Sequence, residues 1–128
     1  MANAREYHQQ LVHYCRKGIV FGDDGKTVTV GTIPAGSLIL KPISGVAVTT
    51  VFNGGSTNTL DIGPSTDTGT NLWATLLALG TLGYIPLDEA VTNLVTVETT
   101  VQAYVVSTAS ASTGAGEILI AYVPDNDN

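Results

Sequence analysis

Acidic side chains are the residues of this sequence that could most readily do chemistry, because its histidines and its cysteine all lie near the beginning. His8, His13 and Cys15 precede residue 18. The rest of the chain therefore has neither a histidine base nor a cysteine nucleophile. A hydrolase built on a pair of carboxylates would need two acids from separate strands that face one cleft. The candidates are Asp61, Asp67, Asp88, Glu89, Glu98 and Glu117.

Each of these acids lies in or beside a turn, or on the polar phase of a predicted strand, where solvated carboxylates normally sit. Two glycine-containing segments, residues 22–25 and 114–116, lack the lysine and the strand-to-helix context of a phosphate-binding loop. We therefore expect a protein that is not an enzyme, with no catalytic residues and no cofactor.

Metal binding is also not expected. His8, His13 and Cys15 have suitable ligand atoms, but their spacing matches no common structural zinc pattern. Asp23 and Asp24 could contribute oxygens to calcium, which needs six or more of them, and a hairpin tip offers few. We interpret these two aspartates as turn residues.

The charges of the chain are divided unevenly along its length. Lysine and arginine do not occur after Lys41, whereas eight of the eleven acidic residues do. A surface with so few cations cannot neutralise phosphates, so we expect no binding to nucleic acid and none to anionic membranes. With 12% charged residues overall, the surface is suited to contact with other proteins.

The first 17 residues are predicted to form an N-terminal docking arm. Residues 1–41 carry a formal charge of about +2, and Tyr7, Leu11 and Tyr14 are spaced as on one helical face, although no convincing helix cap is present. The alternative is a solvated surface with chance clustering of cations. The opening residues lack an apolar signal core, so we expect a product that stays in the cytoplasm or travels with an assembly made there.

Strand and turn signals dominate the rest of the chain. Residues 18–21 and 26–30 are predicted to form a hairpin around Gly22–Gly25, and residues 46–52 and 57–63 a second hairpin around the sequence NGGS. Leucine and alanine outnumber β-branched residues in 72–79, which predicts a short helix with Asn71 as its N-cap.

The clearest alternation of apolar and polar residues runs from Leu94 to Val106 and predicts a long, half-buried strand. Residues 117–123 are apolar on both faces, which predicts a central strand or a contact between subunits. Seven or eight strands and one short helix indicate a single all-β domain over residues 18–128, an antiparallel β-sandwich or jelly roll.

Four segments together resemble the small all-β virion proteins of tailed bacteriophages, especially capsid decoration or cement proteins. They are IPAGSLIL, VAVTTVFNGGSTNTLDIG, ATLLALGTLGY and GAGEILIAYV, within residues 33–123. These are strand and turn patterns, so no active-site residue is carried over. The resemblance implies a structural protein that coats the outer surface of an assembled capsid in many copies.

The predicted partners are therefore the major capsid protein and further copies of this chain, as a dimer or trimer. Cations of the arm would pair with carboxylates of the shell, and its apolar residues would serve as anchors. The predicted partner-binding residues are Arg5, Tyr7, Leu11, Tyr14, Arg16 and Lys17. An alternative is a head or tail fibre component, or a carbohydrate-binding module, that would use Trp73, Tyr84 or Tyr104 as stacking platforms. A polysaccharide-cleaving enzyme is a third alternative.

Overall fold

Two antiparallel sheets packed face to face form the structure. The computed structural model describes residues 11–66, 69–91 and 93–125. An all-β sandwich was expected from the sequence, and it is confirmed. The strands of the described residues are β1 (His13–Val20), β2 (Thr27–Ile33), β3 (Leu38–Ile39), β4 (Gly45–Thr50), β5 (Thr57–Pro64), β6 (Ala74–Ala78), β7 (Gly83–Pro86), β8 (Thr99–Thr108) and β9 (Ala115–Val123).

The first sheet has the order β1-β9-β4-β7, with the short β3 beside β9, and the second sheet has the order β2-β8-β5-β6. The central strand of the first sheet is β9, which pairs with β1 on one side and with β4 and β3 on the other. This confirms the central position predicted from its apolar sequence.

Both predicted hairpins are wrong. β1 and β2 belong to different sheets, and so do β4 and β5. The turn residues between them do reverse the chain, for example at Gly25, which has a φ of 76°. A reversal does not choose a hydrogen-bonding partner, however, and here each following strand crosses to the opposite sheet, where its apolar side chains close the core from the other side.

The predicted helix at residues 72–79 is also wrong, because residues 74–78 form β6. Ala74, Leu77 and Leu79 are buried, whereas Leu76 is exposed and has a left-handed φ of 53°. β6 pairs with β5, and the register of this pairing shifts between Leu60 and Ile62 of β5. Pairing with β5 outweighs the intrinsic helix preference of leucine and alanine, which is worth only a few tenths of a kcal/mol per residue.

The long alternating strand begins later than predicted, at Thr99, and ends at Thr108. Within it Val101, Ala103 and Val105 are buried, as their spacing predicts. The residues before Thr99 do not continue the strand. Among them, Val95 donates a backbone hydrogen bond to the Ser37 carbonyl at 2.9 Å.

The boundary between the docking arm and the sandwich domain, expected after residue 17, falls inside β1. Residues 13–20 pair with β9 along their whole length, and Cys15 and Ile19 are buried in the core between the sheets. Residues 13–17 are therefore part of the first sheet, and residues 1–10 lie outside the described residues. An arm that is separate from the sandwich thus ends before His13.

Two fully buried serines make a matched test of the core. The Ser44 hydroxyl donates to the Leu40 carbonyl at 2.7 Å and accepts from the Ala121 N–H at 2.9 Å. The Ser37 hydroxyl has no hydrogen-bond partner among the described residues. We expect Ser44→Ala to lower the free energy of unfolding by about 1–3 kcal/mol and Ser37→Ala to leave it unchanged or raise it by about 1 kcal/mol.

Urea unfolding of the two variants beside the unmodified protein measures both changes. Equal losses in the two variants would contradict the assignment of the Ser44 hydroxyl as a bridge between β9 and the turn before β4.

Candidate interaction surfaces

The structure distributes the predicted partner-binding residues over the start of the chain and β1. Arg5 and Tyr7 lie outside the described residues. Leu11, Tyr14, Arg16 and Lys17 are all exposed.

Tyr14 and Arg16 share the outer face of the first sheet, which is the first candidate surface. Their neighbours Cys15 and Ile19 are buried, so the alternation of the strand turns Tyr14 and Arg16 away from the core. Opposite them on β9 stand Ala121 and Leu119.

The outward-facing residues in the middle of this face are mixed in size, because Glu117 and Leu119 of the central strand β9 lie beside Ala47 and Gly45 of β4. A row of paired residues crosses it from Gly18 through Glu117 and Ala47 to Tyr84. Tyr84 is exposed at the edge strand, and its hydroxyl donates to the Pro42 carbonyl at 3.2 Å. Partial burial raises the pKa of this phenol above its ordinary value. Exposed tyrosines are typical of protein contact surfaces.

Arg16 forms an ion pair within the chain, which the sequence did not indicate. Its guanidinium lies 2.5 Å from a carboxylate oxygen of Glu117, and both side chains are exposed. The hydrogen bond and charge of Glu117 raise the pKa of Arg16. The two residues are 101 positions apart, so only the pairing of β1 with β9 brings them together. A partner must therefore compete with Glu117 for this cation.

A groove of about 410 Å³ at one end of the sandwich is the second candidate surface. Trp73 and Val95 contribute to its lining and are buried, with 3% and 5% of their surface exposed. Leu72, Leu94 and Val97 also line it and are 55%, 54% and 67% exposed. Its lining comes from four separate stretches of the chain, residues 64–66, 72–73, 90 and 94–100, so only the folded structure reveals it.

One acidic residue, the exposed Glu98, lines this groove. Glu98 forms no ion pair with a described residue. We call this surface, with its apolar rim and one acid, the end groove.

Three of the six candidate catalytic acids, Asp61, Asp88 and Glu117, are occupied in backbone or ionic contacts. Asp61 accepts from the Leu76 N–H at 2.7 Å, and Asp88 accepts from the Thr75 N–H at 2.9 Å. The structure thus places these two carboxylates on consecutive N–H groups of β6, the edge strand of the second sheet. An edge whose donors are already bound is protected from pairing with other chains. Glu117 is paired with Arg16, and Asp67 lies outside the described residues.

The remaining candidate ligands also serve the fold. Asp23 accepts from the Val20 N–H at 3.0 Å, and Asp24 accepts from the Ser107 N–H at 2.8 Å. The ring of His13 lies 5.7 Å from that of Tyr122. Burial raises the pKa of the Cys15 thiol, which keeps it protonated and poorly reactive near neutral pH. No cluster of three or more histidine, cysteine or acidic residues suited to a metal ion occurs in the described residues.

The three aromatic residues considered as stacking platforms do not share a site. Trp73 is buried in the core, Tyr84 lies on the outer face of the first sheet, and Tyr104 belongs to β8 of the second sheet. Residues 101, 103 and 105 of β8 are buried, so Tyr104 faces outward from that sheet.

The part of the chain that the structure describes contains no helix of the length and apolar character needed to cross a bilayer.

Comparison with solved structures finds the same fold in two phage capsids. A chain of the acid-stable capsid of Helicobacter pylori bacteriophage KHP30 superposes with a TM-score of 0.70 at 18% identity, over 88% of this chain and 87% of that chain. A chain of the cyanophage Pam1 capsid asymmetric unit superposes with a TM-score of 0.63 at 18% identity, over 89% of this chain and 85% of that chain. Neither a protein-family model nor a curated protein matches this sequence. The resemblance to phage capsid proteins predicted from the sequence is confirmed at the level of the fold.

Proposed function

We propose that this chain is a non-enzymatic structural protein of a phage virion that decorates the outer surface of the capsid and stabilises it by binding the major capsid protein. The observation that carries the proposal is the structural match to chains of two phage capsids, in which the alignment covers most of both chains. The aligned region covers 85–89% of every chain involved, so each of those capsid chains is close to this one in length. Each is therefore, like this chain, little more than one sandwich.

The surface chemistry supports contact with protein rather than with packaged nucleic acid. The outer face of the first sheet carries exposed Tyr14, Val20 and Tyr84, and the cation of Arg16 on this face is paired with Glu117. Burial of such a surface contributes about 25 cal/mol per Å² before ordering costs are subtracted. Weak single contacts become strong when copies bound to one shell also contact each other.

In this proposal residues 1–17 and the outer face of the first sheet together meet the shell. Leu11 and Tyr14 supply apolar contacts, and Arg5 and Tyr7 extend the contact beyond the described residues. Lys17 is exposed on the edge strand β1, on the side of Cys15 rather than of Tyr14, and pairs with a shell carboxylate that reaches around this edge. Arg16 contributes only where a shell carboxylate replaces Glu117. Association with identical copies, as a dimer or trimer, completes the lattice.

Cosedimentation of purified variants with capsids that lack this protein tests the proposal. We expect Tyr14→Ala and Lys17→Glu each to weaken capsid binding by about tenfold, which corresponds to about 1.4 kcal/mol. Tyr104→Ala and Lys26→Glu are the matched controls, because they make the same changes on the second sheet and at the turn before β2. Equal binding by all four variants would refute the proposed surface, and absence of binding by the unmodified protein would refute decoration.

A further inference from the structure

The turn sequence NGGS, residues 53–56, contains the one Asn–Gly pair of the chain. An asparagine followed by glycine is especially prone to deamidation in water, because glycine has no side chain to hinder ring closure. The Gly54 nitrogen attacks the carbonyl carbon of the Asn53 side chain, and the amide nitrogen leaves as ammonia together with the Gly54 amide proton. Water then opens the succinimide ring to give aspartate or isoaspartate. Asn53 is therefore a candidate modification site.

Water reaches this pair in the folded protein. Asn53 is exposed and Gly54 is half-buried. Protection of the pair must therefore come from the conformation of its reacting groups rather than from burial. Ring closure requires the Asn53 side chain to turn back toward the nitrogen of the next residue, and it requires that nitrogen to lose its proton.

Both ends of the Asn53 amide are held by the loop between β8 and β9, residues 109–114. Its Nδ2 donates to the Ser112 hydroxyl at 2.9 Å, and its Oδ1 accepts from the N–H groups of Ser112 at 2.8 Å and Thr113 at 3.0 Å. The backbone N–H of Asn53 also donates to the Thr113 carbonyl, at 3.3 Å. The side-chain hydrogen bonds must break before the Asn53 side chain can reach the Gly54 nitrogen.

The attacking nitrogen is held as well. The Gly54 N–H donates to Oδ1 of Asn58 at 2.8 Å, and the Asn58 amide nitrogen donates back to the Gly54 carbonyl at 2.9 Å. The same Oδ1 accepts from the hydroxyl of the buried Ser107 at 2.9 Å, which fixes the Asn58 side chain. The folded chain therefore engages both reactants of the deamidation step in other contacts.

The fold also explains why a labile pair stands here. A methyl group added at Gly54 would collide with the Thr108 carbonyl oxygen and lie 2.8 Å from Oδ1 of Asn58, so this position requires glycine. Asn53 supplies both a donor and an acceptor to Ser112, whereas an ionised aspartate would only accept. The contacts that stabilise this corner of the sandwich thus bring together the two residues that react.

The loop that holds Asn53 has features of a segment that opens locally. Ala109 and Ser110 have left-handed φ values of 70° and 58°, a conformation that is unfavourable for residues other than glycine. Ser112 and Thr113 are exposed. Exposed segments with few buried contacts open at a lower free energy than the whole domain unfolds.

We propose that Asn53 is a deamidation site that the fold keeps closed, and that it converts to aspartate or isoaspartate when residues 109–113 open. The inference concerns a covalent modification and goes beyond the proposed function. Isoaspartate would add one carbon to the main chain between Phe52 and Gly54. Phe52 is 1% exposed, and a methyl group at Gly114 would lie 2.6 Å from its ring, so the added carbon disturbs a tightly packed part of the core.

Mass spectrometry of proteolytic fragments measures how much Asn53 is converted during incubation at one pH and temperature. We expect conversion to be slower by about tenfold or more in the folded protein than in the urea-unfolded chain, because several hydrogen bonds must break first. Equal rates in the two states would overturn the proposal. Absence of conversion at Asn53 in the unfolded chain would overturn it as well.

Two serine substitutions test whether the loop contacts give this protection. Ser112→Ala removes the acceptor of the Asn53 Nδ2, whereas Ser110→Ala makes the same change in the same loop without removing a hydrogen bond of Asn53. We expect Ser112→Ala to accelerate conversion in the folded protein about fivefold and Ser110→Ala to change it by less than about twofold. Equal conversion rates in the two variants would overturn the role of the loop.

Urea unfolding of the same two variants separates local opening from global unfolding. We expect Ser112→Ala to accelerate conversion by a larger factor than the factor by which it raises the globally unfolded fraction. If the two factors are equal, conversion proceeds through the unfolded chain and the proposed loop opening is wrong. Asn58→Ala, which frees the Gly54 N–H, provides an independent measurement: a conversion rate no higher than that of the unmodified protein would contradict the protection of the attacking nitrogen.

Discussion

Removing residues 1–17 should unfold the domain, whereas removing residues 1–10 should leave it folded. The longer deletion takes away most of β1, including the buried Cys15. The three residues of β1 that remain, 18–20, are too few to hold Ile19 in the core. It also exposes the edge of β9, whose backbone groups pair with β1. Burial of one large apolar side chain is worth about 1.5–3 kcal/mol, and whole domains are stable by only about 5–15 kcal/mol.

Thermal unfolding followed by circular dichroism measures both deletions. We expect no cooperative transition for the protein that lacks residues 1–17, and a midpoint within about 4 °C of the full chain for the one that lacks residues 1–10. A cooperative transition near the normal midpoint after the longer deletion would mean that β1 is dispensable. Only the shorter deletion is therefore suited to capsid-binding experiments.

Gly45→Ala should cost about 3 kcal/mol or more of unfolding free energy. Gly45 is buried in β4, between β7 and β9, and pairs with Pro86 and Leu119. A methyl group added here would collide with the Ile85 carbonyl oxygen and lie 2.8 Å from the Pro86 α-carbon. Both obstacles are backbone atoms, so relief requires β7 to move away from β4 rather than one side chain to rotate.

Gly18→Ala is the matched control for this substitution. Gly18 also lies in a strand of the first sheet, but a methyl group there would meet only the Gly116 carbonyl oxygen, at 4.0 Å. We expect Gly18→Ala to leave the free energy of unfolding unchanged or slightly higher, since alanine restricts the unfolded chain more than glycine does. Urea unfolding of both variants makes the comparison, and equal losses would contradict the close approach of β4 and β7.

The candidate surfaces were only partly predictable from the sequence. Tyr14 and Lys17, which were selected from the sequence as contact residues, are exposed, and their role in partner binding stays a prediction. The pairing of Arg16 with Glu117 was not predictable, because nothing local relates residues 101 positions apart. The end groove was missed for the same reason.

The local sequence pattern also predicted the wrong secondary structure where one segment could form either a helix or a strand. Residues 72–79 have the composition of a helix, yet β6 forms there because β5 offers backbone partners and a core that receives Ala74 and Leu77. Likewise the turn at Gly25 reverses the chain, but β1 and β2 separate into different sheets.

Sequence patterns alone predicted an all-β sandwich with antiparallel strands and a central closing strand, in a chain that has no lysine or arginine after Lys41. Those properties follow from alternation, turn residues and composition, which act over a few neighbouring positions. Only contacts in the folded chain determine which strands pair, where β1 begins and how the outer face and end groove are assembled. Backbone hydrogen bonds are the same for every strand, so partners are chosen by the joint burial of apolar faces from the whole chain.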